Sequence, residues 1–171
     1  VIAAAINTNA ASQGVVATAT NSTTFGGVSA AGVVAFNLNG QAISANITDT
    51  SDLTSLMGAI NGAAGATGVT ATFTSTSTKA GLTLTTSDGR DVKIDTYTNT
   101  GAVGATATSG TVTLTEGSTD SSIKTGSVSL NSSKGAITLT AANADVFNTS
   151  TSTFSSIASV SLTSAANAQL A

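Results

Sequence analysis

Three aspartates in one short run are the residues of this sequence most suited to bind a metal ion. Asp88, Asp91 and Asp95 lie in the segment DGRDVKID, which also contains Arg90 and Lys93. Calcium binds about six to eight oxygen ligands, usually with several carboxylates from one loop. This run lacks that density of ligands, and two cations lie inside it. We therefore interpret it as a turn followed by an exposed strand of mixed charge, and not as a metal site.

The inventory of reactive side chains excludes most forms of catalysis. The chain has no histidine and no cysteine, so a serine–histidine–aspartate triad and a thiolate nucleophile are both excluded. Zinc lacks its usual ligands for the same reason. A serine–lysine pair remains available, but serine is so abundant that its proximity to a lysine in the sequence carries no information. We expect no enzyme activity, no catalytic residue, no metal and no cofactor.

Charge and hydropathy argue against nucleic acid and the membrane as partners. The net charge is −3, only 8% of the residues are charged, and the five basic residues do not cluster. Nucleic-acid binding needs a basic surface. No apolar run approaches the roughly 20 residues that a membrane-spanning helix needs.

A short helix is predicted at about Asp52 to Asn61. Asp49, Ser51 and Asp52 are typical of helix starts, because a short side-chain oxygen accepts from the free N–H groups of the first turn. The apolar residues that follow at i, i+3, i+4 and i+7 form one stripe. They are Leu53, Leu56, Met57 and Ile60.

Alternating apolar residues predict strands at 33–39, 68–74, 81–85 and 91–97. Turns are expected at Asn39-Gly40 and at Asp88-Gly89, the second as a hairpin or a tight connection. The elements together predict an α+β fold rich in β structure. We expect antiparallel or mixed sheets, one or two short helices and repeated strand–helix–strand–strand units.

The same alternation assigns faces to individual side chains. Thr96 is expected to face inward with the apolar residues of its strand. Phe36 and Phe73 are expected in the core. The aromatic residues suited to an exposed position are Phe25, Tyr97, Phe147 and Phe154.

One block of sequence occurs twice, 54 positions apart. The residues AIN, six further residues and GVxAT begin at Ala5 and again at Ala59. A fixed-period repeat marks a supersecondary unit that is used more than once. We expect 6–18 and 60–72 to form the same helix-to-strand corner, with the two isoleucines equally buried. Gly14 and Gly68 are expected to adopt a backbone geometry that a Cβ would resist.

Several segments of the chain resemble those of a known protein family. The segments FNLNG from Phe36, the helix ending in AIN, GVTAT from Gly68, GLTLT from Gly81 and DGRDV from Asp88 are similar to the "IN" motif of bacterial flagellins and hook-associated proteins. The similarity covers residues 33 to about 95 well. Residues 1–20 match the second half of a preceding copy, and beyond about 100 only a partial echo remains, at 134–146.

The resemblance suggests how the chain is organised. We expect one subdomain at 1–105 with two such units, the first of them truncated, and a second β-rich subdomain at 106–171 that returns to a helical core. Both ends look like helices cut by the boundaries of the sequence. In flagellins the terminal halves form the filament core and the central region projects outward, so we expect an outer domain of that type.

The function implied by the resemblance is structural and extracellular. We expect a surface-exposed outer domain of a flagellar filament subunit that contributes to filament surface, stability and motility, with other copies of the subunit as partners. The alternatives are a domain of a hook-associated junction or cap protein, and a cell-surface adhesin or carbohydrate-binding β domain.

Hydroxyl-rich clusters are candidates for modification. Flagellin outer domains are often O-glycosylated, and the resemblance extends that expectation to 72–78, 118–122 and 148–156, although the same hydroxyls also serve simply to solvate exposed strands. Asparagine sequons occur as well, but such a Ser- and Thr-rich chain generates them by chance. They begin at Asn21, Asn46, Asn131 and Asn148.

Overall fold

A computed structural model of the chain describes residues 2–137. The described residues fall into two compact units. The first contains residues 2–3 and Thr18–Ser129, and the second contains Ala4–Ala17 and residues 130–137. The boundary at 105 expected from the sequence stays a prediction. Much of the expected C-terminal subdomain lies outside the described residues.

The described part of the chain contains three α-helices and ten strands. The helices are α1 (Ile2–Ala10), which runs into a 3₁₀ turn (Ala11–Gln13), α2 (Thr54–Gly62) and α3 (Ala64–Thr67). The strands are β1 (Val15–Gly26), β2 (Gly32–Leu38), β3 (Gln41–Ile47), β4 (Thr70–Phe73), β5 (Gly81–Thr86), β6 (Val92–Asn99), β7 (Thr106–Ser109), β8 (Val112–Thr115), β9 (Ser122–Lys124) and β10 (Ser127–Ser132).

The strands form two sheets. One has the order β4-β5-β1-β7-β8, with β10 also paired to β1, and the other has the order β3-β2-β6-β9. Pairing is antiparallel between β1 and its neighbours β5 and β7, and between β2 and its neighbours β3 and β6. It is also antiparallel in the pairs β4–β5, β6–β9 and β7–β8. The β-rich α+β fold predicted from the sequence is therefore confirmed, with antiparallel sheets.

The core of the first unit lies between the two sheets and under α2. Phe25 of β1 and Phe36 of β2 bring the sheets together, with ring centroids 5.4 Å apart. Helix α2 packs on β3 and β4, and its buried stripe matches the prediction. Leu53, Leu56 and Ile60 are fully buried, and Met57 is partly buried against them.

Strands β2 and β3 form a hairpin at the predicted Asn39-Gly40 turn. Leu38 pairs with Gln41, which leaves a loop of two residues. Asn39 and Gly40 both have positive φ, 49° and 85°, as a type I′ turn requires. Strand β3 itself was not predicted from the sequence, although its residues at 43, 45 and 47 alternate inward.

A β-bulge in β6 explains the errors on that strand. The register between β2 and β6 shifts between Ala35 and Asn37, and Thr96 adopts a positive φ of 55°. The extra residue reverses the alternation, so Thr96 is exposed and Tyr97 is fully buried. Our expectations for both residues were wrong.

Phe25 and the Asp88-Gly89 turn also differ from what the sequence predicts. Phe25 is buried, with 1% of its surface exposed, because its ring packs against Phe36 of the other sheet. The Asp88-Gly89 turn is a tight connection and not a hairpin, since β5 and β6 belong to different sheets.

Candidate structural site: a duplicated helix-to-strand corner

The AIN residues of the second copy attach the end of a helix to a strand. Asn61 lies in the last turn of α2, and its side chain meets the main chain of Ala71 in β4. Its amide nitrogen donates to the Ala71 carbonyl at 2.9 Å, and its amide oxygen accepts from the Ala71 N–H at 2.7 Å. The side chain thus occupies both hydrogen-bonding groups of one strand residue.

The first copy has the same geometry. Asn7 of α1 donates to the Ala17 carbonyl at 2.8 Å and accepts from the Ala17 N–H at 2.7 Å. Each asparagine lies ten residues before its partner. The predicted duplication is therefore present as a repeated hydrogen-bond arrangement, and the asparagine of AIN is its central residue.

A glycine with positive φ turns the chain between helix and strand in both copies. Gly14 has φ of 77° and Gly68 has φ of 69°, a conformation that costs little only without a Cβ. A basic side chain covers each glycine. The Arg90 guanidinium donates to the Thr67 carbonyl at 3.3 Å, and the Lys134 ammonium donates to the Ser12 carbonyl at 2.9 Å. Both cations lie at the carbonyl end of helical turns, where positive charge is favourable.

The two corners differ in how deeply their apolar residues are buried. Ile60 is fully buried, whereas Ile6 is only half-buried. The expectation of equal burial was therefore wrong. Ile60 packs within the core that the β2–β3 hairpin helps to form.

Gly68→Ala is predicted to lower the free energy of unfolding by about 1–2 kcal/mol, the cost of left-handed backbone in a residue with a Cβ. An ideal Cβ there would also lie 2.5 Å from the Arg90 guanidinium. Gly58 in α2 is the matched control, because a Cβ there meets nothing within 4 Å. Gly58→Ala is expected to raise stability by about 0.5–1 kcal/mol through helix propensity. Chemical denaturation measures both values, and equal effects would contradict the assigned corner geometry.

Asn39 also binds the main chain of distant segments, whereas the sequence predicts only the turn in which it lies. Its amide nitrogen donates to the carbonyls of Thr67 and Asp91, at 2.9 and 3.0 Å. Its amide oxygen accepts from the Lys93 N–H at 2.9 Å. The hairpin is thereby attached to the end of α3 and to β6. Only the presence of an asparagine before glycine could have indicated this role.

The aspartates before α2 form two consecutive local turns. Asp49 accepts from the N–H and hydroxyl of Ser51, and Asp52 accepts from the N–H of Thr54 at 2.9 Å and from its hydroxyl. Leu53 is the residue at the helix N-cap, and its own side chain makes no capping hydrogen bond. Asp52 therefore serves the first helical residue as expected, whereas Asp49 stabilises the turn before the helix.

The aspartates around Gly89 are held by separate partners. The Arg90 guanidinium, with its N–H groups, lowers the pKa of Asp88. Asp91 accepts from the Gly126 N–H at 3.2 Å, and Asp95 pairs with the Lys93 ammonium at 2.9 Å. Within residues 2–137, no group of three or more aspartates or glutamates is placed to hold a metal ion. The arrangement matches an exposed mixed-charge turn and strand.

Tyr97 provides a spectroscopic test of the core. Desolvation raises the pKa of its hydroxyl above the ordinary value of 10.0. The folded chain favours the neutral form of Tyr97, so burial of the neutral hydroxyl contributes to the free energy of unfolding. This contribution is complete below about pH 10 and is lost as pH rises through the higher pKa of the folded chain. The chain has one tyrosine and no tryptophan, so tyrosinate absorbance reports this group alone.

We therefore expect tyrosinate formation and loss of β structure to occur together in an alkaline titration. Circular dichroism measures the second signal, and Tyr97→Phe should shift the loss of structure to higher pH. Ionisation of Tyr97 at its ordinary pKa in a fully folded chain would show that the hydroxyl is not buried.

The candidate modification clusters differ in accessibility. Most hydroxyl residues of 72–78 and 118–122 are exposed, and the cluster at 148–156 lies outside the described residues. Asn21 is buried, and its amide donates to the carbonyls of Arg90 and Lys124, so its sequon is inaccessible in the folded chain. Asn46 and Asn131 are exposed, and Asn148 lies outside the described part.

The described residues form a β-rich α+β fold in which a hydrogen-bonded helix-to-strand corner occurs twice. Neither the known protein-family models nor a search of curated proteins gives a match to this chain. No helix in residues 2–137 is long and apolar enough to cross a membrane. The resemblance to flagellins therefore rests on the residues of the motif.

Proposed function

We propose that this chain is the outer, solvent-facing domain of a bacterial flagellar filament subunit. Its partners would be other copies of the subunit, and its location the filament surface outside the cell. The observation that carries the proposal is the duplicated corner. Two of the segments that carry the resemblance, AIN and GVxAT, are those that form it through Asn7 and Asn61.

The surface chemistry supports a structural role. The exposed faces of the strands are dominated by serine and threonine, while the core cluster holds the large apolar side chains. Small hydroxyl side chains are β-branched or compact, so they suit an exposed pleated surface without creating apolar patches. Such a surface fits a domain whose task is to remain folded in solvent.

The carbohydrate-binding alternative receives less support. Sugar binding commonly uses exposed aromatic rings, but the aromatic side chains of residues 2–137 are not exposed. Phe25, Phe36 and Tyr97 are buried, and Phe73 is half-buried.

An antibody against the 171-residue chain tests the proposal directly. It should decorate filaments along their whole length on intact cells, as seen by gold labelling in the electron microscope. Antibody first absorbed with the purified chain is the control. Label confined to a filament base or tip would favour the hook-associated alternative, and label on the cell body alone would favour an adhesin.

A further inference from the structure

The sequence contains two Asn-Gly pairs, Asn39-Gly40 and Asn61-Gly62. Asn-Gly is the pair in which an asparagine deamidates most readily, because glycine leaves the following N–H unhindered. Both asparagines here are ones whose side chains bind the main chain elsewhere in the fold. The two most reactive amides of the chain are thus also two of its structural attachments.

The reaction needs water and no other co-reactant. The main-chain nitrogen of the glycine attacks the side-chain carbonyl carbon of the asparagine. A new N–C bond closes a succinimide ring, the C–NH2 bond breaks, and ammonia leaves with the proton from the glycine nitrogen. Water then opens either carbonyl of the ring. The product is aspartate, or iso-aspartate with one extra carbon in the main chain.

The folded corner holds Asn61 away from this reaction. Its amide nitrogen and oxygen are both bound to Ala71, at 2.9 and 2.7 Å, and the residue lies within helix α2. Attack by the Gly62 nitrogen requires the amide to rotate toward its own main chain, which breaks both hydrogen bonds. Asn61 is exposed, so conformation and not exclusion of water is the barrier.

Asn39 is held by more bonds. Its amide donates to the Thr67 and Asp91 carbonyls and accepts from the Lys93 N–H. Its main chain also pairs with Lys93, at 2.9 Å between N and O. Rotation of the side chain toward the Gly40 nitrogen would release the hairpin from α3 and β6.

We infer that Asn39 and Asn61 are conformationally gated deamidation sites: the folded chain protects both, and an unfolded chain loses both amides. Deamidation at 61 replaces the donor that faces the Ala71 carbonyl with a carboxylate oxygen, and two acceptors then face each other. A chain that stays unfolded therefore acquires carboxylates at these positions, and its corner is less stable after refolding. This inference is independent of the proposed function.

The first copy of the corner supplies an internal control. Asn7 makes the same two hydrogen bonds, to Ala17, but Thr8 follows it. A β-branched residue hinders ring closure, so the same attachment exists there without the reactive pair.

Peptide mapping by mass spectrometry of the full 171-residue chain tests the inference. The chain is incubated at mildly alkaline pH, once folded and once in denaturant. Asn39 and Asn61 should deamidate in denaturant while Asn7 stays intact. In the folded chain both should react at least about tenfold more slowly, because the reactive conformer is reached only through local opening. Equal rates at Asn61 in the two conditions would overturn the inference.

Two variants separate gating from intrinsic reactivity. Gly62→Ala should slow the reaction at 61 in denaturant and leave the reaction at 39 unchanged. Leu56→Ala should accelerate the reaction at 61 under native conditions, since it destabilises the helix that carries the residue. An unchanged native rate in a Leu56→Ala chain that is measurably less stable would contradict control by opening of the fold.

Discussion

Leu56→Ala is expected to lower the free energy of unfolding by roughly 2–5 kcal/mol, the range for a buried leucine reduced to alanine. Leu56 is fully buried in the cluster that joins α2 to both sheets. Its removal leaves a cavity that close-packed neighbours fill only partly. Denaturant titration followed by circular dichroism measures the change.

Ser55→Ala is the matched control for this prediction. Ser55 is exposed on the same helix, and an exposed substitution of this kind changes stability by about 0.5 kcal/mol or less. If Leu56→Ala and Ser55→Ala gave the same denaturation midpoint, α2 would not be packed on β3 and β4 as described.

Asn61→Ala is expected to cost roughly 1–3 kcal/mol, because it removes two hydrogen bonds and leaves the main chain of buried Ala71 without partners. Hydrogen exchange provides a local reading of the same change. The Ala71 amide should exchange faster in the variant, since its acceptor is the Asn61 side chain.

Asn46→Ala supplies the comparison for this variant. Asn46 is exposed on β3, so its loss should leave the exchange of Ala71 unchanged. Unaltered exchange and stability in Asn61→Ala would show that the corner is held by packing alone and that the repeated asparagine is incidental.

The regular part of this fold follows from the sequence. The spacing of Leu53, Leu56 and Ile60 was enough to place α2, and the repeat was enough to predict two similar corners. In each case the signal is local, since it depends on the period of a helix or on a copied segment.

The parts of the fold that were not predicted depend on contacts between residues far apart in the sequence, which local spacing does not encode. One residue in αL at Thr96 reversed the faces of β6 and buried Tyr97. Phe25 is buried against Phe36 of the other sheet, and nothing near it in the sequence indicates that contact. The attachments made by Asn39 reach across 28 and 52 residues, beyond any local pattern.

Cations over the corner glycines were missed for the same reason. Arg90 and Lys134 lie far in sequence from the glycines that they cover. A basic residue opposite each GVxAT segment is a feature that only the folded chain shows.

Filament diameter in a deletion strain tests the proposed function most directly. In flagellins the polymerising surfaces lie in the terminal helices, so removal of about residues 20–160 from the full-length protein should leave assembly intact. We expect the truncated subunit to be exported and to form filaments that are thinner than the parent filaments in electron micrographs. Exported subunits that form no filaments, or filaments of unchanged diameter, would contradict it.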